Sequence, residues 1–578
     1  MTIPYAWVSY ADYEPGFCRW DQQWIDRVVR GEEGVGHGLT FEQSSRERVL
    51  AEGGILLIPV GSYHEHGERH VALRKLWDDM LAMPWGVVIA TSDECSTFEW
   101  HKIDPWPAHV RLWVQLPRPE RTYPPGTMFY GEGSPSVAQL PWGRERDIDV
   151  FLSAQGGHVR RDECFAALVD QHRERWVVQR TLGFTEGMSG ANYVDHMRRA
   201  WVAPAPAGIC SQSSFRAFEA LEAGAVPIVD ARRPDGGTGY WEMIGLGFLR
   251  QCDDWSMVGD HIEEILADPH WEAARTSSLW QIYKRDVVAR LHEDVLAARQ
   301  DATGHADLYR PSITAVVPTS PIPSHPDASM LFETVESIRD RLPDAEVLIT
   351  CDGVRPEQAD RRDAYVEYLH RVTEWCLPQQ HVVPFVFDRH LHQSGMMHRI
   401  LPEISTPFLL YVEHDCPLVG EIPFDAITRE MDSQALNSVR FMHEAGVLPD
   451  HAHLFLDRHT DGWAPWQATI QWSQRPHLAR TSWYADIMGK FFGSAARTMI
   501  EDVMHGVVQH GFAINSPYAT RKHAEKAWRR YRMAVYAPDG DMRRSGHLDG
   551  RGGEPKYPMI IAYDGERPVG APPEGEWT

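Results

Sequence analysis

Short apolar runs and amphipathic stretches alternate along the first part of the chain. The apolar runs over residues 54–60, 86–91 and 110–114 predict buried strands, because each run is short and uninterrupted. Helical periodicity predicts one helix over residues 41–50 and another over residues 71–83. Strands that alternate with helices favour a parallel, doubly wound α/β layer.

The same alternation resumes after residue 146. Residues 147–153 predict a strand. Farther along, Phe215, Phe218 and Leu221 share one face of a predicted helix that ends at Gly224. The helix therefore has an apolar face to bury, and the order of elements predicts a second α/β layer.

A third α/β layer begins with the apolar run over residues 312–320. Strand and helix patterns then follow in the order β-α-β-α-β-α-β and end with a strand over residues 408–412. Glu413 and Asp415 come directly after that strand, and the side-chain period of two points both to one side. Ligands of open α/β sheets bind at such carboxyl ends. Two carboxylates there suit a hard divalent cation that holds a diphosphate, and the alternative is a solvated strand end.

Composition narrows the class of protein. At 578 residues the length suggests roughly three to four domains, and 43% hydrophobic residues allow well-filled cores. The net charge of −24 argues against a general polyanion-binding surface, because such surfaces need clustered Lys and Arg. The 8 cysteines contain no CxxC pair, which favours free thiols in a reducing compartment.

The chain shows no targeting pattern. Its amino terminus lacks a charged segment followed by an apolar one, and no apolar run is long enough to span a bilayer. We therefore expect a cytoplasmic protein without a membrane partner. Its oligomeric state leaves no pattern in the sequence.

A histidine-rich loop follows the first predicted strand. His64, His66 and His70 are residue types that bind transition metals. Their spacing matches neither a zincin helix nor a zinc-finger pair. We expect a polar loop that faces a cleft, with metal binding as the alternative.

The helix after residue 213 carries candidate phosphate-binding groups. Ser213 or Ser214 can cap it, and its first turn exposes free backbone N–H groups. Arg216 in that turn adds a fixed cation for a phosphate. The alternative is an ordinary amphipathic helix with Glu219 and Glu222 on its exposed face.

This stretch resembles the nucleotide-sugar half of exostosin-like GT-B glycosyltransferases, whose hallmark is a Ser-x-Arg-x-x-Glu-Ala helix followed by Gly-x-x-Pro. The matching residues are Ser214, Arg216, Glu219, Gly224 and Pro227. Ala225 stands where that family usually has cysteine. The resemblance implies phosphate binding by Ser214 and Arg216. It also implies ribose or sugar contacts by Glu219 and Glu222.

The third layer resembles family-2-like GT-A nucleotide-diphospho-sugar transferases over residues 312–511. Pro318 and Thr319 match the first nucleotide loop of that family, and Asp352 matches its uracil- or ribose-binding aspartate. Glu413-His414-Asp415 stands where the family has Asp-x-Asp. The residues implied in nucleotide-sugar binding are Pro318, Thr319, Asp352, Gly353, Gly395 and Glu413.

The same resemblance implies the catalytic and metal-binding residues. Residues 499–505 are similar to the family's Glu-Asp pair, with Asp502 as general base and Glu501 orienting the base or the acceptor. Asp415, Glu413 and His505 are the implied ligands of Mn²⁺ or Mg²⁺. A single base behind the acceptor predicts inversion at the anomeric carbon. The alternative is an acidic helix start that the helix dipole stabilises.

Aromatic residues predict the acceptor side, because sugar faces stack on aromatic rings. His477 lies among them in the sequence. The aromatic residues are Trp463, Trp466, Trp472, Trp483 and Tyr484. The alternative for these side chains is an ordinary buried core.

Together, the patterns and resemblances predict an α/β protein with two Rossmann-like GT-B lobes followed by a GT-A domain. The predicted bounds are 1–146 for the acceptor-side GT-B lobe, 147–300 for the nucleotide-sugar lobe, 311–560 for the GT-A domain and 561–578 for a tail. We expect a bifunctional, inverting glycosyltransferase that uses a UDP-sugar and a hydroxyl acceptor on a protein or glycan. A modified DNA base is disfavoured by the net charge. Two alternatives stay open: a GT-B module that only binds the acceptor, and a nucleotide-sugar- or glycan-binding protein without catalysis.

Overall fold

The architecture comes from a computed structural model of the 578-residue chain. It describes residues 2–10, 19–30, 39–60, 66–91, 98–133, 145–183, 187–208, 211–303, 313–493, 495–511 and 520–548, with two short segments at 563–564 and 567–568. The chain divides into two compact units. Unit 1 comprises Met1–Arg310 and His370–Gln380, and unit 2 comprises Pro311–Leu369 and His381–Thr578.

The first sheet of unit 1 is parallel throughout. Its strands are β1 (Thr2–Trp7), β2 (Thr40–Gln43), β3 (Gly54–Pro59), β4 (Gly86–Thr91), β5 (Val110–Gln115) and β6 (Met128–Tyr130). The helices of this segment are α1 (Arg19–Val29), α2 (Arg46–Glu52) and α3 (His66–Ala82). The strand order is β2-β1-β3-β4-β5-β6. The central strands β3 and β4 are buried along their whole length, as their apolar sequences require.

The second sheet of unit 1 is also parallel. Its strands are β7 (Ile148–Gln155), β8 (Trp176–Thr181), β9 (Ala200–Ala205), β10 (Val226–Asp230) and β11 (Arg250–Cys252). Its helices are α4 (Val159–Asp170), α5 (Gly190–Arg199), α6 (Phe215–Glu222), α7 (Tyr240–Met243) and α8 (Val258–Ala267). The order β11-β10-β9-β7-β8 places β7 and β9 side by side, with α6 connecting β9 to β10.

A single helix, α9 (Pro269–Thr303), joins the cores of the two sheets in unit 1. It packs against β4 and β5 of the first sheet and β10 of the second. Trp280 and Val288 of α9 belong to the same buried cluster as Trp113 and Phe218. Trp113 also donates from Nε1 to Asp294 Oδ2 of α9 at 2.9 Å. The helix therefore braces both layers, as its apolar positions predict.

The sheet of unit 2 is mixed. Its strands are β12 (Ile313–Thr319), β13 (Glu346–Cys351), β14 (Val382–Val386), β15 (Phe408–Tyr411), β16 (Ser438–Arg440), β17 (Phe455–His459), β18 (Trp466–Thr469), β19 (His477–Arg480) and β20 (Met533–Tyr536). Its helices are α10 (Ser329–Arg339), α11 (Arg362–Cys376, whose residues from His370 onward belong to unit 1), α12 (His392–Ile400), α13 (Phe424–Gln434), α14 (Thr481–Phe491), α15 (Ile500–Gly511) and α16 (Arg521–Tyr531). A short pair of strands, β21 (Tyr563–Asp564) and β22 (Arg567–Pro568), lies near the end. In the order β14-β13-β12-β15-β19-β16-β20-β18-β17, the first four strands are parallel and β19 runs antiparallel to β15.

The structure confirms most of the strands that the sequence predicts. Parallel Rossmann-like α/β layers are present in both units, and the predicted order β-α-β-α-β-α-β corresponds to β12 through β15 with α10, α11 and α12. Burial explains this success, because every residue of β12, β13 and β15 is buried. The sequence patterns missed the half of the sheet that contains β16 to β20, whose strands have only three to five residues.

The helix predicted over residues 41–50 is wrong in its first part. Residues Thr40–Gln43 form β2 and pair in parallel with β1. The helix α2 begins only at Arg46, after Ser45 accepts a hydrogen bond from Arg48 N at 3.3 Å. Pairing with β1 therefore overrides the helical periodicity of a short segment.

Two predicted features fall partly outside the described residues. Of the histidine-rich loop, residues 61–65 are not described, and the chain from His66 onward forms α3. Of the tail over residues 561–578, only β21 and β22 are described. Among the described helices, none combines the length and the apolar composition needed to cross a membrane.

Candidate active site

The carboxyl ends of three parallel strands form one edge of the sheet in unit 2. The strands β12, β13 and β15 pair with one another in parallel, so they end on the same side. Thr319 is the last residue of β12, and Asp352 follows β13. Glu413 and Asp415 follow β15 at the same edge. The fold thus gathers the predicted nucleotide-sugar residues where open α/β sheets bind ligands.

Gln393 connects Glu413 to the start of α15. Its Nε2 donates to Glu413 Oε1 at 2.8 Å, and its Oε1 accepts from Ile500 N at 3.3 Å. Ser394, the next residue of α12, accepts from Thr498 N at 3.1 Å. The side chains of α12 therefore hold the residues just before the predicted catalytic pair against the carboxyl edge.

Glu413 lies in a strongly negative environment. Burial raises its pKa to about 8, and the charges of Asp415 and Glu501 act in the same direction. The hydrogen bond from Gln393 only partly offsets these effects. Carboxylates from β15 and α15 therefore converge, and a cation would relieve their mutual repulsion.

Asp415 is the centre of a second group of polar side chains. Asp415, Cys416 and His547 each offer one atom within 4.8 Å of the others. His547 Nε2 lies 3.5 Å from Asp415 Oδ2, and the Cys416 thiol donates to Asp415 Oδ1 at 3.3 Å. Burial raises the pKa of Cys416 well above its ordinary value, and sulfur is in any case a soft ligand that suits a hard divalent cation poorly.

The donor set of this group fits a divalent cation. A carboxylate oxygen and an imidazole nitrogen are good ligands, whereas a protonated thiol is a poor one. Asp415 and His547 are therefore the residues that would hold the metal. Of the three metal ligands implied by the resemblance, the structure places only Asp415 here, since neither Glu413 nor His505 belongs to the group.

A segment after β20 delivers His547 to the site. Gly546 N donates to Pro417 O at 2.7 Å, and Leu548 N donates to Asp415 O at 2.6 Å. Ser545 forms an isolated bridge with Leu418. These backbone bonds fix the position of His547 beside the loop after β15. The amino-acid sequence gives no signal for His547 as a ligand, because a lone histidine among Gly, Arg and Ser has no motif.

The predicted catalytic pair begins α15. Glu501 Oε2 accepts a hydrogen bond from Gln474 N at 3.0 Å, and Glu501 also contributes to the raised pKa of Glu413. Asp502 lies near His392. Burial lowers the pKa of His392, and the negative charge of Asp502 acts in the opposite direction and raises it. The two acidic side chains therefore face different neighbours, and both belong to the carboxyl edge.

Asp352 and Gly353 hold a loop beside this edge. Asp352 is 1% exposed and accepts hydrogen bonds from Leu391 N at 2.6 Å and His392 N at 3.0 Å. His390 Nδ1 lies 2.7 Å from its Oδ2. A Cβ at Gly353 would meet the carbonyl carbon of Arg389 at 2.2 Å, so only glycine allows this approach. Both predicted residues therefore position the 389–392 loop in this structure.

The other predicted nucleotide-binding residues lie in the surrounding framework. Pro318 is inside β12 and pairs with Thr350. Thr319 Oγ1 shares a 2.8 Å hydrogen bond with Tyr368 OH. Gly395 packs closely in α12, since a Cβ there would lie 3.0 Å from Leu391 Cβ. These contacts set the shape of the edge.

The predicted residues of unit 1 divide into two groups. Arg216 Nη2 donates to Ser153 O near the carboxyl end of β7 at 2.6 Å, and Tyr193 OH donates to Glu219 Oε2 at 2.7 Å. The charge of Arg216 acts on the pKa of both Tyr193 and Glu219, so these three side chains lie together. Burial is the largest cause of the raised pKa of Glu219.

The other two predicted residues of unit 1 are Ser214 and Glu222, and each has its own surroundings. Ser214 immediately precedes α6, and within the described part of the chain its side chain makes no capping hydrogen bond. Glu222 forms an ion pair with Lys284 of α9, with both oxygens 3.1 Å from Nζ. Glu222 thus braces α6 against α9.

Comparison with known proteins gives little beyond this geometry. No family model matches the sequence, and no curated protein matches it. Among solved structures, TarS of S. aureus is 14% identical over 40% of this chain and 36% of that chain, with a TM-score of 0.26. The mannosyltransferase PcManGT from Pyrobaculum calidifontis, in complex with GDP-Man and Mn²⁺, is 12% identical over 42% of this chain and 59% of that chain, with a TM-score of 0.26. This chain thus matches less than two thirds of either protein, and likeness at this level assigns neither a family nor an activity.

Proposed function

We propose that unit 2 is a GT-A-type glycosyltransferase that moves a sugar from a nucleotide-diphospho-sugar to an acceptor hydroxyl. The observation that carries the proposal is the convergence of Glu413, Asp415 and Glu501 at the carboxyl edge of a parallel sheet. Such an edge suits a ligand that brings both a diphosphate and a divalent cation. A UDP-sugar is the proposed donor.

Asp415 and His547 are the proposed cation ligands. When bound, a divalent cation would stabilise the negative charge that grows on the leaving diphosphate. The imidazole of His547 favours Mn²⁺ over Mg²⁺, because Mg²⁺ prefers an all-oxygen shell. Glu413, held by Gln393, has a pKa raised to about 8, so a cation bound beside it would favour its ionised form.

Asp502 is the proposed general base. A base must reach the acceptor hydroxyl within hydrogen-bond distance, and Asp502 begins α15 beside the carboxyl edge. Glu501 is fixed by Gln474 N and so can orient the acceptor without moving. A base on the face opposite the leaving group would invert the anomeric carbon, and a hydroxyl on a protein or glycan is the proposed acceptor.

For unit 1 we infer a second donor site, of GT-B type, that works without metal. The cluster of Arg216, Tyr193 and Glu219 favours this inference, because a guanidinium near a helix start can balance phosphate charge by itself. The whole protein would then be bifunctional, with GT-B lobes over residues 1–146 and 147–300, a GT-A domain over 311–560 and a tail over 561–578. If unit 1 has no donor site, it serves as an acceptor-binding scaffold.

The decisive experiment is the hydrolysis of UDP-sugars, without an acceptor, by the full chain carrying Arg216→Ala, which silences the proposed metal-free site of unit 1. We expect turnover with Mn²⁺, loss of turnover with EDTA, and loss of turnover in Asp415→Ala. The matched control is Asp425→Ala, which changes an exposed aspartate in the first turn of α13. Binding of UDP-sugars without turnover would show that the chain is a nucleotide-sugar-binding protein and not an enzyme. Turnover that resists EDTA would refute the metal assignment.

A further inference from the structure

A small cavity lies in unit 2 on the part of the sheet that the sequence patterns missed. It is lined by Ser438, Arg440, Thr469, Gln471, Trp472, Ser473, His477, Met533 and Ala534. Its free volume is about 20 Å³, enough for one group of the size of water. None of these side chains belongs to the candidate active site at the carboxyl edge, so the cavity is a separate feature of unit 2.

Arg440 is the charged group of this cavity. Its side chain is buried, with the residue only 4% exposed. Its Nη2 donates to Gln471 Oε1 at 3.0 Å and lies 3.9 Å from Met442 Sδ, and its guanidinium lies over the ring of Phe455. Its Nε and Nη1 have no hydrogen-bond partner among the residues that the structure describes. A buried guanidinium with two such donors is costly unless an anion completes it.

The neighbouring Arg475 shows how this region satisfies a guanidinium. Its two terminal nitrogens bind both oxygens of Glu444, with Nη2 to Oε1 at 2.7 Å. Both oxygens of Glu444 thus bind Arg475, although the negative charge of Glu444 still raises the pKa of Arg440. Arg440 therefore has an acidic residue nearby, but that residue's hydrogen bonds go to a different arginine.

The cavity is adjacent to the candidate catalytic residues. Ser473 in its wall precedes Gln474, whose backbone N–H binds Glu501 at 3.0 Å. The charge of Glu501 also acts on Arg440. A group bound at Arg440 would therefore lie near Glu501, the residue that the proposed function assigns to orienting the acceptor.

We propose that the Arg440 cavity is an anion subsite for the acceptor. It would take one oxygen of a carboxylate or phosphate that the acceptor carries near its reacting hydroxyl. The size of the cavity admits one such oxygen, and Nε and Nη1 of Arg440, which no described residue accepts from, supply the hydrogen bonds. The acceptor part of this proposal rests on the proposed function, whereas anion binding at Arg440 does not.

The first test measures anion binding without any donor. The full chain is prepared with Arg216→Ala and EDTA, which remove the other two proposed phosphate sites. We expect acetate and inorganic phosphate to raise the unfolding temperature in a saturable way at constant ionic strength, and the neutral isostere acetamide to have no effect. Adding Arg440→Met should weaken acetate binding roughly tenfold to a hundredfold.

Two controls separate a binding role from a structural one. Arg458→Gln changes an exposed arginine of the same sheet, bonded to Ala537 and Asp539, and should leave the acetate effect intact. Arg440→Met should also raise the unfolding temperature of the anion-free protein, since it removes a buried charge whose Nε and Nη1 have no partner among the described residues. Should the Met variant not fold, Arg440→Gln provides the same comparison. An acetate effect that survives the loss of Arg440 would overturn the anion subsite.

The second test places the anion on an acceptor. Donor turnover by the wild-type chain with Mn²⁺ is compared with glycerol, glycerate and glycerol 1-phosphate as surrogate acceptors. We expect the two anionic compounds to be glycosylated faster than glycerol, and Arg440→Met to remove that preference while keeping turnover with glycerol. Equal rates for all three would overturn the acceptor assignment. A chain without any donor turnover would instead refute the proposed function and leave the acetate measurement standing.

Discussion

Acidic side chains lie at the carboxyl edge of the sheet in unit 2. In unit 1, the guanidinium of Arg216 lies near the carboxyl end of β7, beside the partly buried pair of Tyr193 and Glu219. Glu413, Asp415 and Glu501 would repel a diphosphate unless a cation intervenes. Arg216 needs no cation to attract one. The same type of parallel layer therefore presents opposite charges at its carboxyl edge in the two units, and under the proposed function each edge would hold a donor diphosphate. Four experiments test whether the two units differ in this way.

The largest effect is expected from the proposed base of unit 2. Asp502→Asn should lower kcat of metal-dependent transfer roughly 10²- to 10⁴-fold, because the amide cannot accept the acceptor proton. The midpoint of thermal unfolding should stay unchanged, as in the control Asp425→Asn. Steady-state kinetics with a UDP-sugar measures the loss. A variant with wild-type kcat would remove Asp502 from the mechanism.

The metal site gives the next effect. His547→Ala should weaken Mn²⁺ binding roughly tenfold or more, because the imidazole beside Asp415 is lost. His505→Ala should bind Mn²⁺ as the wild-type protein does, since His505 lies outside the group around Asp415. Isothermal titration with Mn²⁺ measures both. If His505→Ala weakens Mn²⁺ binding and His547→Ala does not, the ligand set that the resemblance implies is the correct one.

Unit 1 should show a smaller effect that does not depend on metal. Arg216→Ala should weaken UDP binding in the presence of EDTA roughly tenfold, because a charged hydrogen-bond donor near the helix start is removed. The mass increments on the acceptor should then lack one sugar step. If the product ladder is unchanged, unit 1 is a scaffold and only unit 2 transfers sugar.

The smallest effect should separate two glutamates of α6. Glu222→Gln should leave UDP binding unchanged and lower the unfolding midpoint by roughly 1–3 °C, because it weakens the ion pair with Lys284. Glu219→Gln should instead weaken UDP binding. Thermal unfolding and UDP titration of both variants test this difference. Equal loss of UDP binding in both would place Glu222 in the donor site after all.

Sequence patterns predicted those parts of the fold in which burial is uniform. The strands β3, β4, β12, β13 and β15 are buried along their whole length, so an uninterrupted apolar run was sufficient. The strands β16 to β20 are short and their burial is set by neighbours far along the chain. The segment over residues 40–43 shows the same limit, since pairing with β1 decided its conformation.

The hydrophobic pattern was sufficient to predict the parallel α/β layers, because their central strands are uniformly apolar, and the acidic residues after β15 can be read directly from the sequence. The spatial neighbours of these residues depend on the fold. Folding brings His547 to Asp415 across more than a hundred residues, pairs Glu222 with Lys284, and buries Arg440 with two donors that have no partner among the described residues. Such contacts depend on long-range packing, for which a single sequence carries no local signal.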